Sequence, residues 1–253
     1  MSLQMTAQEN AWHPVARSDD LPPRDIFQAQ LHGVELAVWR ADDGRVNAWE
    51  NRCAHRSVRL TLGGNTGETL RCRYHGWQYR SGDGRCTFIP AATSAAPPPA
   101  VRARTFAAAE VGGYVWVNLA AQAVDASDKV FMPTFEPLPL SLRSLPFNAA
   151  PGVVAAELMR YADYDETAVP GSGVVLGNDT EIDLAWHAEG GRRQARFWLQ
   201  PVDACKTVVH GSAHFAGIDR SGTLHDCNRM LTALRRRAEL LRYRLSISKE
   251  ARK

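Results

Sequence analysis

Two short stretches carry most of the chemistry this sequence offers. The first is Cys53-Ala54-His55-Arg56-Ser57. Sixteen residues after His55 comes the second, Cys72-Arg73-Tyr74-His75-Gly76-Trp77. Each supplies one thiol and one imidazole. Two thiolates and two imidazoles can hold a [2Fe–2S] cluster, with both Cys on one iron and both His on the other. Soft thiolates suit ferric iron, and neutral imidazoles in place of two anionic ligands lower the negative charge of the centre. An added electron is then accepted more readily, so the potential lies above that of an all-Cys centre. Gly76, directly after His75, suits a tight loop whose amides approach the cluster sulfurs. The same four residues could instead build a structural Cys2His2 zinc site. Zinc fingers usually offer a Cys pair and then a His pair; here each loop mixes one of each, which favours the cluster. Cys53, His55, Cys72 and His75 are therefore the candidate cofactor-binding and metal-ligating residues.

The surrounding pattern predicts strands. Val34–Arg40 alternates, Asp42-Asp43-Gly44 is a turn signal, and Val46–Trp49 resumes an extended pattern, together a hairpin. Ser81-Gly82-Asp83-Gly84 separates Trp77–Tyr79 from Cys86–Ile89, and Gly112-Gly113 precedes Tyr114–Val117. Pro97-Pro98-Pro99 is a stiff extended stretch. Residues 11–120 thus read as an all-β module. Over 121–140 the pattern fades among Pro133, Pro137 and Pro139, as in a connection between domains. Residues 141–250 read as a curved sheet closed by a helix. Phe197–Gln200 and Thr207–Phe215 are strand-like. From about Leu224 to Leu245, Leu231, Leu234, Leu241 and Leu245 recur at helical spacing with arginines between them, a basic amphipathic helix. The expected fold class is α+β, mostly β.

The bulk numbers set bounds. The chain has 253 residues, room for one large or two ordinary domains. The net charge of +3 argues against nucleic acid as a partner. The charge is uneven: Arg229–Lys253 holds nine Lys/Arg against two Asp/Glu, leaving a net of −4 for the rest. No segment approaches the ~18 consecutive apolar residues of a membrane span. The N-terminal text has neither a basic nor an apolar signal region. Five cysteines, an odd number with two assigned as ligands, suit a reducing cytoplasmic setting. Cys86, Cys205 and Cys227 have no motif around them.

Residues 11–120 resemble the Rieske domain of bacterial Rieske non-haem iron oxygenases, both the α subunits of ring-hydroxylating dioxygenases and the demethylating monooxygenases. The resemblance rests on Trp12-His13-Pro14-Val15, Cys53-Ala54-His55-Arg56, Leu70–Trp77 and Tyr114–Val117. Rieske proteins of respiratory complexes usually add a second Cys in each cluster loop; here Val58 and Tyr74 stand there. They also tend to place a Ser where this chain has Trp77, so the resemblance implies fewer donors to the cluster and a lower potential. The second half resembles, loosely, the helix-grip sheet of the oxygenase catalytic domain in shortened form, on Phe197–Val202 and the closing helix.

That family resemblance implies a mononuclear iron held by two His and a carboxylate. The expected Asp followed by two close His is not found after Leu140. Glu157–Glu166 has carboxylates but no His, and His187 and His225 are isolated. His210 and His214 are close in sequence, but on a strand they would lie about 13 Å apart, too far to share an iron. A mononuclear iron in this chain is thus doubtful, and the catalytic residues stay unknown. The resemblance implies a reductase or ferredoxin as electron donor, a homo- or hetero-oligomer, and an iron-bearing oxygenase subunit as a further partner. The alternative is a stand-alone ferredoxin-like carrier or a non-catalytic subunit.

Overall fold

The computed structural model describes residues 11–120, 140–164, 173–175, 181–188, 191–214 and 220–250. The chain divides into two compact units, 1–132 and 133–253. The first holds ten strands: β1 (His13–Arg17), β2 (Phe27–Leu31), β3 (Val34–Arg40), β4 (Val46–Glu50), β5 (Gly64–Asn65), β6 (Thr69–Arg71), β7 (Gln78–Arg80), β8 (Cys86–Phe88), β9 (Thr105–Val111) and β10 (Tyr114–Asn118). A six-stranded sheet runs β1-β10-β9-β4-β3-β2, and a four-stranded sheet runs β5-β6-β7-β8. The smaller sheet is thus an insertion between β4 and β9 of the larger one.

The hairpin expected at Val34–Trp49 forms, with Trp39 opposite Asn47 and Arg40 opposite Val46. Its burial goes further than a half-exposed strand would. Leu36, Ala37, Val38 and Trp39 are all fully buried. Leu36 and Val38 pack with Val15, Leu31 and Val117 on one face. Ala37 and Trp39 join Trp49, Leu60, Leu70 and Tyr79 on the other. Both faces of β3 are therefore covered, which explains its near-continuous apolar run. The second core also contains Cys53 and Cys72, so the candidate ligands are anchored in packed side chains.

The second unit holds β11 (Leu140–Ser141), β12 (Leu145–Phe147), α1 (Pro151–Tyr164), β13 (Gly173–Val175), β14 (Glu181–Ala188), β15 (Gly191–Asp203), β16 (Lys206–His214) and α2 (Arg220–Glu250). The sheet runs β11-β16-β15-β14-β13, with β12 also pairing β16. Phe197, Leu199, Val209 and Ala213 pack one face against Val154 and Leu158 of α1 and Met230, Leu231 and Leu234 of α2. The basic helix is longer than its leucine spacing predicts. Leu231 and Leu234 of the expected stripe are buried, Leu241 is half-buried, and Leu240, which lies outside that stripe, is exposed. The unit also begins before residue 141, because Leu140 pairs with Ala213.

Helix α1 was not expected. Its start follows from Pro151 at the first helical position, where proline loses no hydrogen bond, and the amides of Val153 and Val154 close on Ala150 O. Its Glu157 is buried and faces Arg237 of α2 at 3.1 Å. The connection expected over 121–140 lies, but for Leu140, outside the described residues. So do Asp165, Glu166 and Phe215.

Candidate metal centre

The two ligand-bearing loops leave β4 and β6 and close by one shared hydrogen-bond scheme. In the first, Cys53 N donates to Val58 O at 2.8 Å and Ser57 N donates to Cys53 O at 2.8 Å. In the second, Cys72 N donates to Trp77 O at 2.8 Å and Gly76 N donates to Cys72 O at 3.1 Å. The residue before each closing carbonyl, or one turn after each Cys, takes a left-handed backbone: Ser57 with φ 56° and Gly76 with φ 69°. Gly76 is needed there for a second reason. A Cβ would lie 3.0 Å from Pro90 Cγ, in the segment that packs over the second loop. The amide of Gly76 thus closes the loop on a carbonyl; the amides that reach the Cys72 sulfur are those of Tyr74 and His75.

Asn51 staples the first loop across its base. Its side-chain carbonyl accepts from Thr61 N at 2.9 Å, its amide donates to Thr61 Oγ1 at 3.0 Å, and its backbone N–H donates to Glu35 O at 2.8 Å. Asn51 is fully buried, so each of these bonds is made away from competing water.

The loops bring the four candidates together in an ordered way. Cys53 and Cys72 are buried, while His55 and His75 are exposed. The Cys72 thiol lies within hydrogen-bond reach of Cys53, and the two imidazole centroids are 4.7 Å apart. Two thiols face inward and two imidazoles sit at the surface. Among the described residues no group of three or more His, Cys, Asp or Glu surrounds a single ion. A two-iron cluster with split ligation takes its donors as such pairs, and this donor set fits it.

The electrostatics of the pocket agree. Burial pushes the Cys72 thiol above its usual pKa, and the Cys53 thiol adds to this, opposed by the Tyr74 and His75 amides. A bound iron reverses that balance, since a coordinating thiol is deprotonated outright. Desolvation, followed by His75 and Arg56, lowers the pKa of His55, which favours the neutral, ligating imidazole.

Three side chains complete the site. Tyr79 Oη lies 3.0 Å from Cys53 Sγ, and the Ala54 amide donates to the same oxygen. Burial, then the Cys53 contact, raises the Tyr79 pKa far above its ordinary value. Trp77 stacks flat on His55, with centroids 4.5 Å apart and planes 4° from parallel. Tyr74 lies against His75 at 3.8 Å. Trp77 brings no hydroxyl to the two loops, as its residue type implies, but Tyr79 brings one to Cys53 from the next strand. Tyr79 was missed from sequence. The available signal is only its closeness in sequence, two residues beyond Trp77 at the start of β7.

His210 and His214 lie on β16, opposite Trp198 and Gln194 in a register unbroken from Thr207 to His214. They stand four positions apart on the strand, so they do not converge on one ion. His210 is buried and already engaged: Ser144 Oγ is 2.8 Å from its Nδ1 and Gln200 Oε1 is 2.7 Å from its Nε2. Burial lowers its pKa to about 3. It is a neutral structural histidine. Of His187 only the backbone, on β14, is described.

Residues 11–107 match the family model of the Rieske [2Fe-2S] domain. Oxidoreductase NdmD of Pseudomonas putida is 57% identical over 110 residues, 44% of this chain and 19% of that protein. Methylxanthine N1-demethylase NdmA of Pseudomonas putida is 35% identical over 113 residues, 43% of this chain and 32% of that protein. The matched stretch thus spans less than a third of either relative. Among solved structures, apo dicamba monooxygenase superposes with a TM-score of 0.74 over 96% of this chain and 89% of that one, at 18% identity. NdmA of Pseudomonas putida CBB5 with caffeine gives a TM-score of 0.71 over 92% and 82%, at 19% identity. At such identities the likeness is one of fold.

Proposed function

Because residues 11–107 form a Rieske [2Fe-2S] domain in a chain with the Rieske oxygenase fold, we propose that Cys53, His55, Cys72 and His75 hold the cluster and that the chain moves electrons within an oxygenase or demethylase system. One observation carries this reading: two buried thiols and two exposed imidazoles meet between two loops of matching closure. When bound, the cluster supplies one-electron transfer. The protein's own part is positional. Cys53 and Cys72 would hold one iron from the core, and His55 and His75 would hold the other from the surface, where a partner can approach. Tyr79 and the amides of Tyr74 and His75 hold protons toward the sulfurs. Trp77 fixes the plane of His55.

The donor is a reductase or ferredoxin. The acceptor is a mononuclear non-haem iron on a partner chain in an oligomer, since His210 is committed to Ser144 and Gln200. A cytoplasmic setting suits a chain whose five cysteines are all free. No helix among the described residues is long and apolar enough to cross a membrane.

The test is anaerobic reconstitution with iron, sulfide and protein measured together. The proposal expects about two irons and about two sulfides per chain. A reproducible third iron would place the acceptor in this chain and remove the partner-chain reading. His55→Cys is expected to keep the iron, shift the visible spectrum toward that of an all-Cys cluster and lower the potential. If neither property moves, His55 is not a ligand.

A further inference from the structure

Away from the two cluster loops, a second pair of imidazoles meets in the first unit. His13 Nε2 lies 3.4 Å from His32 Nε2, with the ring centroids 5.1 Å apart and the planes at 74°. His13 is buried on β1, and His32 is half-buried directly after β2. These are the outer strands of the six-stranded sheet, which runs β1-β10-β9-β4-β3-β2. Val15 and Ala16 of β1 nevertheless share one core with Ala29 and Leu31 of β2. The sheet thus curls until its two edges face each other, and the histidines stand on either side of the seam.

Their separation is the one a shared ion would set. Two imidazole nitrogens bound tetrahedrally to zinc at about 2.0–2.1 Å lie about 3.3–3.4 Å apart. With each nitrogen about 1.1 Å from its ring centre and both lone pairs aimed at the ion, the centroids lie about 5.2 Å apart. Both values match this pair. Hydrogen bonds from N–H to oxygen run at about 2.7–3.2 Å, and this contact is longer. Nor does the turn account for His32. His32 and Gly33 are the two-residue connection between β2 and β3, with φ 47° and 81°. Positive φ at both positions is the hairpin pattern that Asn-Gly fills well, so the backbone calls for no imidazole there. No third His, Cys, Asp or Glu joins the pair among the described residues, which leaves the other coordination positions to water.

We propose that His13 and His32 form a binding site for a divalent transition-metal ion of the zinc class, with water completing its shell. Imidazole donors suit zinc, nickel and copper, and the tetrahedral separation favours zinc. The ion staples β1 to the β2–β3 hairpin across the seam, where no strand ladder joins the two edges among the described residues. The site is independent of the cluster reading above, since Cys53, His55, Cys72 and His75 lie on other loops.

The test uses the full holoprotein, with the cluster spectrum followed throughout, and Zn2+ as the probe. By isothermal titration calorimetry His32→Asn is expected to take up about one zinc per chain fewer than wild type, or to bind that ion at least about tenfold more weakly. Asn suits the left-handed turn, so this variant keeps the hairpin. His13→Gln is expected to show the same loss; if it fails to fold, His32→Asn decides alone. Zinc should also raise the urea midpoint of wild type, because it binds the folded chain, and leave that of His32→Asn unmoved. A plain imidazole contact would change the stability of the variant without any response to zinc. Equal zinc uptake at equal affinity in wild type and His32→Asn overturns the proposal, as does a wild-type midpoint indifferent to zinc. If zinc bleaches the cluster, Ni2+ replaces it and the same two outcomes apply.

Discussion

Tyr79→Phe removes one hydroxyl from the core and leaves the ring in place. That hydroxyl sits 3.0 Å from Cys53 Sγ. Either atom could donate in the neutral thiol, but a metal-bound thiolate has no proton, so the phenol is then the donor. A hydrogen bond between neutral groups contributes roughly 1 kcal/mol, and one to a charged group about 2. The sulfur gains negative charge when the cluster is reduced, so the bond stabilises the reduced state more, by about 1 kcal/mol. For a one-electron couple 59 mV is about 1.4 kcal/mol, so the substitution lowers the midpoint by about 40 mV. Little else should change. The ring stays buried, and the amide that loses its acceptor belongs to exposed Ala54, where water can replace it. The assay is an anaerobic redox titration followed by circular dichroism, with the oxidised spectrum as the check on cluster integrity. A midpoint unchanged, or raised, in a variant with an intact spectrum would refute the assignment of Cys53 as a ligand that takes its donor from Tyr79.

Three further outcomes follow from the packing. His210 is buried as the neutral form, with a folded pKa of about 3 against 6.5. The unfolded chain therefore binds the proton more readily, so this contribution is present above about pH 6.5 and is lost as pH falls toward 3; by pH 5 the loss is about 2 kcal/mol. Urea unfolding at pH 7 and pH 5 should show that loss in wild type and not in His210→Gln. Gly76→Ala forces a Cβ onto a left-handed backbone and against Pro90, costing about 1–2 kcal/mol locally and lowering cluster occupancy, read as iron per protein; full occupancy would contradict the need for glycine there. The bidentate pair of Arg40 and Glu110, at 2.6 and 2.9 Å, holds the Glu110 pKa below its ordinary 4.5. Its contribution is present above pH 4.5 and lost as pH falls through the folded value. Glu110→Gln should cost about 0.5–1 kcal/mol at pH 7 and progressively less as pH falls below 4.5, by chemical denaturation.

The candidate ligand set was legible in the sequence because it is local. Cys53 and His55 are two residues apart, Cys72 and His75 three, and the chemistry follows from donor type within each short loop. The strands were legible for a similar reason, since alternation and turn residues act over neighbouring positions. Even the separation of His210 from His214 could be read from strand geometry. The tertiary structure decided which ligands lie inside and which outside, because that depends on two loops from separate hairpins closing against one core. It decided that the hydroxyl beside Cys53 comes from Tyr79, 26 residues away. It showed α1, whose buried Glu157 makes sense only beside Arg237 of a second helix. It also decided that His210 is bound to Gln200 and Ser144, the latter 66 residues distant. These are contacts of long sequence separation, set by sheet register and core packing, and no local pattern encodes a register. The sequence by itself therefore specified which atoms can bind a cluster, and the fold specified what surrounds those atoms and which of the candidate ligands meet the surface.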